Sequence, residues 1–285
     1  MKAITARKLI VDRWTSMAGC NRTERSIMIR RRAFDSDQAA SRFSGIFYPN
    51  NNTLFFASTN MLPRVMRRYV DRMKRFKPSY IEGYSSGIYA LARFMEENGI
   101  RMKLKAIIAS TDTMYQKFRS TIEKVFQCKV FVFYGQVEEI CTASECFAHD
   151  GLHINMENHI VETLDQGSNQ VFESQGEIIG TDLDNYAFPI IRYRIGDLAT
   201  MTRERCSCGR ESYRILNLIG RRDDLLELPD GRTLSTASLW LAGEDIYSIR
   251  KYQLVQVTSN RIQVKIERTD TYVQDDERRL AQQLR

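Results

Sequence analysis

Proline and glycine are scarce in this sequence: five and 15 among 285 residues, too few for long flexible linkers or low-complexity tracts. No stretch of 18 apolar residues occurs, so no membrane-spanning helix is expected and a membrane partner is set aside. The opening MKAITARKLIVDRW has a short apolar patch and no small-residue cleavage site, unlike a secretory signal, and a cytoplasmic location is the expectation. In that compartment structural disulfides are rare, so the six cysteines read as thiols or metal ligands. Acidic residues are the minority charge, 35 against 42 basic, and the net +7 favours an anionic partner such as a nucleotide, coenzyme A, nucleic acid or acidic lipid.

What is present is a 43% hydrophobic chain, long enough for two domains. Residues 3–18 carry Ala3, Ala6, Ile10, Val11, Trp14, Met17 and Ala18 at helical spacing. Residues 24–32 and 52–57 are strand candidates. A basic amphipathic helix over about 61–76 turns Leu62, Val65, Met66, Tyr69, Val70, Met73 and Phe76 inward and its arginines toward solvent. A Gly-Tyr-Ser-Ser turn follows, then a helix burying Ile88, Leu91, Ala92 and Met95. AIIAS (106–110), a helix with Phe118, Ile122, Val125 and Phe126 inward, and KVFVFYG (129–135) form a strand–helix–strand unit. Continuous apolar strands of this kind belong to parallel sheets covered by helices. From 152 onward the texture changes to hairpins, one with Asp230-Gly231 at its turn. The final segment, DDERRLAQQLR, begins an amphipathic helix.

Residues 189–199, PIIRYRIGDLA, pose the sharpest question. Pro189, Ile190 and Ile191 read as buried, Arg192 and Arg194 alternate with Tyr193 and Ile195, and Gly196-Asp197 reads as a closing turn. A carboxylate fixed at a strand end is well placed for a ligand; an edge strand with solvated arginines is the plainer alternative.

FYGQVEE (133–139), TDL (181–183), RYRIGD (192–197) and GRRDD (220–224), in this order and spacing, resemble the adenylate-forming ligases, in particular the phenylacetate–coenzyme A ligase branch with its capsule-biosynthesis relatives. PSYIEGYSSGIYALARFMEENGI, ASECFAHDGLHI and NYAFPIIRYRIGDLA extend the similarity over almost the whole chain. The resemblance implies an α/β fold: a partial large adenylation domain over 1–220, a parallel sheet with helices plus a hairpin region, then a hinge and partial α+β lid domain over 221–285. It implies ATP-dependent activation of a carboxylic acid to an acyl-adenylate, with Mg²⁺ on the nucleotide and a thiol such as coenzyme A displacing AMP. By the same resemblance Tyr134 and Gly135 border adenine, Asp197 accepts from the ribose hydroxyls, and Arg221 contacts ribose or phosphate. Glu138 is placed near Mg²⁺ and Asp223 at the hinge, so that Glu138, Arg221 and Asp223 are the catalytic candidates. Asp112 stands in IIASTDTM where relatives tend to carry Ser-Gly-Glu, a carboxylate one methylene shorter.

A second constellation joins Cys146, His153 (or His149), Cys206 and Cys208. The three histidines of the chain all lie within residues 149–159, directly after Cys146. Three thiolates and an imidazole make a closed tetrahedral Zn²⁺ site, structural because no position stays open to water. His153 is preferred because it alternates with apolar strand residues, and His159 is the least favoured ligand.

Two family parts have no counterpart here: a lysine-bearing Ser/Thr/Gly-rich phosphate loop, and the lysine of the lid domain. The sequence therefore reads as truncated at both ends. Two further readings stay open beside a truncated ligase. One is a non-catalytic remnant or a split subunit awaiting a complementary fragment. The other is a basic zinc-stabilised interaction module, for which nucleic acid is the weaker partner because no recognition helix or stacked-aromatic motif is seen.

Overall fold

The structure is a computed structural model that describes residues 2–31, 45–59, 61–229, 233–235, 239, 246 and 248–284. The chain opens in helix α1 (Lys2–Met17), followed by β1 (Ser26–Arg30), β2 (Ile46–Tyr48), β3 (Thr53–Ala57) and α2 (Pro63–Phe76). Next come β4 (Tyr80–Tyr84), α3 (Ser85–Glu97), β5 (Ala106–Ser110), α4 (Gln116–Phe126) and β6 (Lys129–Gly135). The hairpin region comprises β7 (Thr142–Glu145), β8 (Leu152–Ile154), β9 (His159–Leu164), β10 (Gln175–Asp182), β11 (Tyr193–Thr202) and β12 (Arg214–Arg221). These form one 12-stranded sheet in the order β2-β3-β1-β4-β5-β6-β7-β8-β12-β11-β10-β9. Strands β3, β1, β4, β5 and β6 run parallel. From β6 through β7 and β8 to β12 the pairing is antiparallel, matching the change of texture in the sequence.

The strand–helix alternation follows from side-chain placement. All five residues of β5 are buried, as a strand covered on both faces requires. At Gly83 a Cβ would lie 2.2 Å from the Ile29 carbonyl oxygen, so β1 and β4 meet only because that position has no side chain. Helix α2 buries Val65, Met66, Tyr69, Val70 and Met73 of the face expected from its spacing, while Leu62 is 47% exposed just before the helix and Phe76 is only half-buried in its last turn; Pro at its first position is preorganised for helix. Aromatic stacks pin α1 and α2 to the sheet, Trp14 on Phe133 at 4.3 Å and Phe56 on Tyr69 at 4.1 Å between ring centroids, and join α3 to α4 through Tyr89 on Phe118 at 4.0 Å.

By contact density the chain divides into two units, residues 1–195 with 200–217, and residues 196–199 with 218–285. The second contains a single turn of 3₁₀ helix (Arg222–Asp224), the pair β13 (Leu225–Glu227) and β14 (Thr233–Ser235), the hairpin β15 (Ile249–Thr258) and β16 (Arg261–Arg268), and helix α5 (Gln274–Gln283). Its small core is Ile246, Ile249 and Leu280, flanked by Tyr252, Ile266, Tyr272 and Leu284.

Four expectations change. Gly196 and Asp197 do not close a turn; both lie inside β11, where Gly196 adopts φ +81°. The run before them is not core: Pro189 is exposed and Ile191 is 74% exposed, because regular pairing of β11 starts only at Tyr193. Arg192 and Arg194 are not simply solvated, since they pair with Glu162 and Glu177. Helix α3 starts at Ser85, directly off the last residue of β4, with no separate Gly-Tyr-Ser-Ser turn. The expected Asp230-Gly231 turn lies outside the described residues.

Candidate functional site

Two sets of side chains stand out. In the first, Cys146 follows β7, His153 is the middle residue of β8, and Cys206 and Cys208 lie in the connection from β11 to β12. One ligand atom from each of the four lies within 4.8 Å of all the others. The sulfurs of Cys146 and Cys206 are 3.8 Å apart, and Cys208 Sγ is 3.4 Å from His153 Nε2. A tetrahedral Zn²⁺ with Zn–S bonds of about 2.3 Å sets sulfur–sulfur edges of roughly 3.8 Å and slightly shorter sulfur–nitrogen edges, so the donor set fits that ion.

The surroundings suit a metal as well. Cys146, His153 and Cys206 are buried. His153 Nδ1 lies 2.8 Å from Ser212 Oγ; if Nδ1 donates to that oxygen, Nε2 is left as the lone-pair side facing Cys208. Burial, then the charges of Arg210 and Arg214, push the His153 pKa down to about 4, so the ring is neutral near pH 7 as a ligand must be. Burial pushes the Cys146 thiol up to about 11. At Cys206 burial also opposes ionisation, but hydrogen bonds from Cys208 and Cys146 together with the Arg214 charge outweigh it, and its pKa falls below the usual thiol value. His149 is drawn elsewhere: its Nδ1 is 3.4 Å from Glu145, a buried carboxylate that also accepts from Arg119 and the Val132 N–H. His159 bonds Thr142 instead. Arg214 and Ser212 were not marked by the sequence, because neither residue type nor spacing reveals which side chain faces a ligand cluster.

The second set belongs to strand ends and turns. Strands β4, β5 and β6 are adjacent and parallel, and their carboxyl ends carry Tyr84-Ser85, Ser110–Asp112 and Tyr134-Gly135. In open α/β sheets that edge is where ligands bind. Tyr134 is buried there, and Glu138 is exposed in the following turn. Beside it Glu139, at φ +56°, pairs with Arg7 of α1 at 2.6 Å, while its burial raises its pKa. Asp112 has a local task as well: its Oδ2 accepts from the Ser86 N–H at 3.0 Å and from the Ser86 hydroxyl, capping the first turn of α3. Thr111 before it takes φ +80°. That cap joins residues 26 apart in sequence and leaves no local signature.

In the second unit Asp197 Oδ1 lies 3.7 Å from Arg221 Nε, with the Asp197 side chain only 13% exposed and that of Arg221 57%. Asp223 is exposed in the 3₁₀ turn. Asp112, Tyr134, Gly135 and Glu138 thus belong to the first unit, and Asp197, Arg221 and Asp223 to the second.

Solved structures with this fold include 2-hydroxyisobutyryl-CoA ligase in the postadenylation state, at TM-score 0.69 and 17% identity over 97% of this chain and 63% of that one. Anthranilate CoA ligase AuaEII follows at TM-score 0.55 and 12% identity, over 92% of this chain and 53% of its own. By sequence, a phenylacetate-coenzyme A ligase of Aromatoleum evansii is 30% identical over 167 residues, 56% of this chain and 37% of that protein. Protein CapK of Staphylococcus aureus is 27% identical over 165 residues, 57% of this chain and 35% of its own. Over that stretch the chain is similar in sequence to phenylacetate-coenzyme A ligases, and its fold is that of solved CoA ligases. No family model matches it. The chain matches little more than a third of the length of these sequence relatives, and less than two thirds of these structural ones. Among the described residues no helix is long and apolar enough to cross a membrane.

Proposed function

We propose that this chain takes part in AMP-forming activation of a carboxylic acid, with transfer of the acyl group to a thiol such as coenzyme A. The carboxylate of the acid attacks the α-phosphorus of ATP, the bond to pyrophosphate breaks, and the thiol then displaces AMP from the acyl-adenylate. The observation that carries the reading is the Asp197–Arg221 pair: a largely buried carboxylate beside an arginine that remains more than half exposed. A ribose offers two hydroxyl donors to such a carboxylate, and the arginine is left for ribose or phosphate oxygens. Support also comes from the fold shared with a ligase solved with its acyl-adenylate and CoA.

In this reading Tyr134 and Gly135 receive the adenine at the end of β6, and the loop carrying Asp112 borders it. Glu138 would hold Mg²⁺, which supplies charge neutralisation where two anions must meet. Residues 1–220 form the partial adenylation domain and 221–285 the partial lid, with Asp223 in the turn about which the lid pivots. Cys146, His153, Cys206 and Cys208 would hold a structural Zn²⁺, tying β7 and β8 to the β11–β12 connection. Such a cluster needs reduced thiols, which points to the cytoplasm.

The test is carboxylate-dependent ATP–pyrophosphate exchange with a panel of aryl and short-chain acids, alongside calorimetric binding of AMP and a non-hydrolysable acyl-adenylate. Exchange by the chain alone supports the full reading. Analogue binding without exchange assigns phosphate handling to groups supplied by a complementary polypeptide, detected as exchange restored when the missing family segments are added. Absence of both adenylate binding and exchange sinks the proposal.

A further inference from the structure

We propose that Arg214 is the positioning residue of the Cys146–His153–Cys206–Cys208 site, clamping its two ligand loops and supplying the positive charge that a three-thiolate metal centre requires. The inference rests on the metal reading above.

Arg214 is 2% exposed, deep burial for a guanidinium. Its Nη1 donates to the carbonyl and carboxylate oxygens of Asp150, each at 2.5 Å, and its Nη2 to the Glu204 carbonyl at 3.1 Å. Asp150 lies between Cys146 and His153, and Glu204 lies two residues before Cys206. One planar fork therefore joins both ligand-bearing segments, a geometry lysine cannot reproduce. Arg214 is also the direct cross-strand partner of His153 in the β8–β12 pairing.

Charge gives the second argument. A buried cation needs a compensating partner. Asp150 is a weak one, its side chain 60% exposed to water. The Nε–H of Arg214 is buried and has no hydrogen-bond partner among the described residues. A divalent ion bound by three thiolates and a neutral imidazole carries one net negative charge, which the guanidinium balances. The site thus gains an interaction only when loaded, and so does the arginine.

The experiment is titration of the whole 285-residue chain with Co²⁺, followed by Zn²⁺ competition, reading affinity and the thiolate-to-cobalt charge-transfer absorption. Arg214→Met is expected to weaken Co²⁺ binding about 10- to 100-fold, while the spectrum at saturation still reports three thiolates. Two milder variants separate charge from clamp and cover the case in which Arg214→Met does not fold. Arg214→Lys keeps the charge without the fork, Arg214→Gln keeps a hydrogen-bond donor without the charge, and the lysine variant should bind metal more tightly. Wild-type affinity in Arg214→Met, or a glutamine variant binding at least as tightly as the lysine one, overturns the proposal. A wild-type chain that takes up neither ion overturns the metal reading itself and this inference with it.

Discussion

The cysteine–histidine cluster and the residues proposed for nucleotide handling are built in opposite ways. Three of the four cluster residues are buried, and their ligand atoms already lie at coordination spacing, held there by strand pairing, by the His153–Ser212 hydrogen bond and by the bonds Arg214 donates to Asp150 and Glu204. Glu138, Arg221 and Asp223, by contrast, are exposed on turns and a strand end, and only Tyr134 and Asp197 are largely buried. A structural metal site is completed as the chain folds, and the ion's binding energy then becomes part of the folding energy. A substrate site has to keep polar groups uncommitted, so their partners arrive with the ligand. Damage to the first kind of site should therefore appear as lost stability, and damage to the second as lost affinity with stability unchanged.

The largest expected effect is on the cluster. Cys206→Ser, or treatment of the wild type with a strong chelator, should release one equivalent of zinc and lower the melting temperature. A site held at 1,000 times its dissociation constant contributes about 4 kcal/mol. Metal analysis and thermal melts of the same samples check this, and an unchanged melt after metal loss would break the contrast. Next comes Asp197→Ala, expected to weaken binding of an acyl-adenylate analogue by about 10- to 100-fold, the worth of roughly 1.5–3 kcal/mol of charge-assisted hydrogen bonding. Calorimetry gives the affinity, and the melting temperature of the unliganded chain should barely move.

Asp112→Ala sharpens the comparison because this residue belongs to both classes. Loss of the α3 cap should cost about 1 kcal/mol in a denaturant melt. If the carboxylate serves only as a cap, Asp112→Asn restores most of that stability, and adenylate binding by both variants stays at the wild-type level. The smallest effect is an acid one. Asp276 Oδ2 accepts from Ser248 Oγ at 2.6 Å and from the Val273 N–H at 3.0 Å, which hold its pKa below the ordinary aspartate value. With the folded-state pKa depressed, the stability it contributes is present above the unfolded value of about 4 and is lost as pH falls through the folded one. Melts between pH 5 and 2 should show a slightly shallower acid slope for Asp276→Asn than for the wild type.

The parallel strands and their covering helices were legible because their apolar periodicity is local: α2, β5, α4 and β6 sit close to where spacing put them. The four cluster residues were legible by type. Their second sphere was not, since Arg214 in a strand carries no sign of being buried, and Ser212 is an ordinary loop serine. Pro189 to Ile191 misled because an apolar run states a preference for burial, not a place in the sheet. Asp197 was recognised as a fixed carboxylate, but its setting was mistaken, since Gly-Asp fits a turn as readily as a strand whose regularity breaks at glycine.

That break at Gly196 has a stereochemical consequence. In unbroken alternation Leu198 would face away from Ile195; with the left-handed glycine between them, Leu198 is buried, and the Asp197 side chain keeps 13% of its surface exposed beside Arg221. A Cβ at Gly196 would meet nothing nearer than the Arg221 side chain at 3.7 Å, so space is not what excludes other residues. What excludes them is handedness. An L-alanine there would have to hold the left-handed backbone at a cost of about 1–2 kcal/mol, which glycine adopts without that penalty.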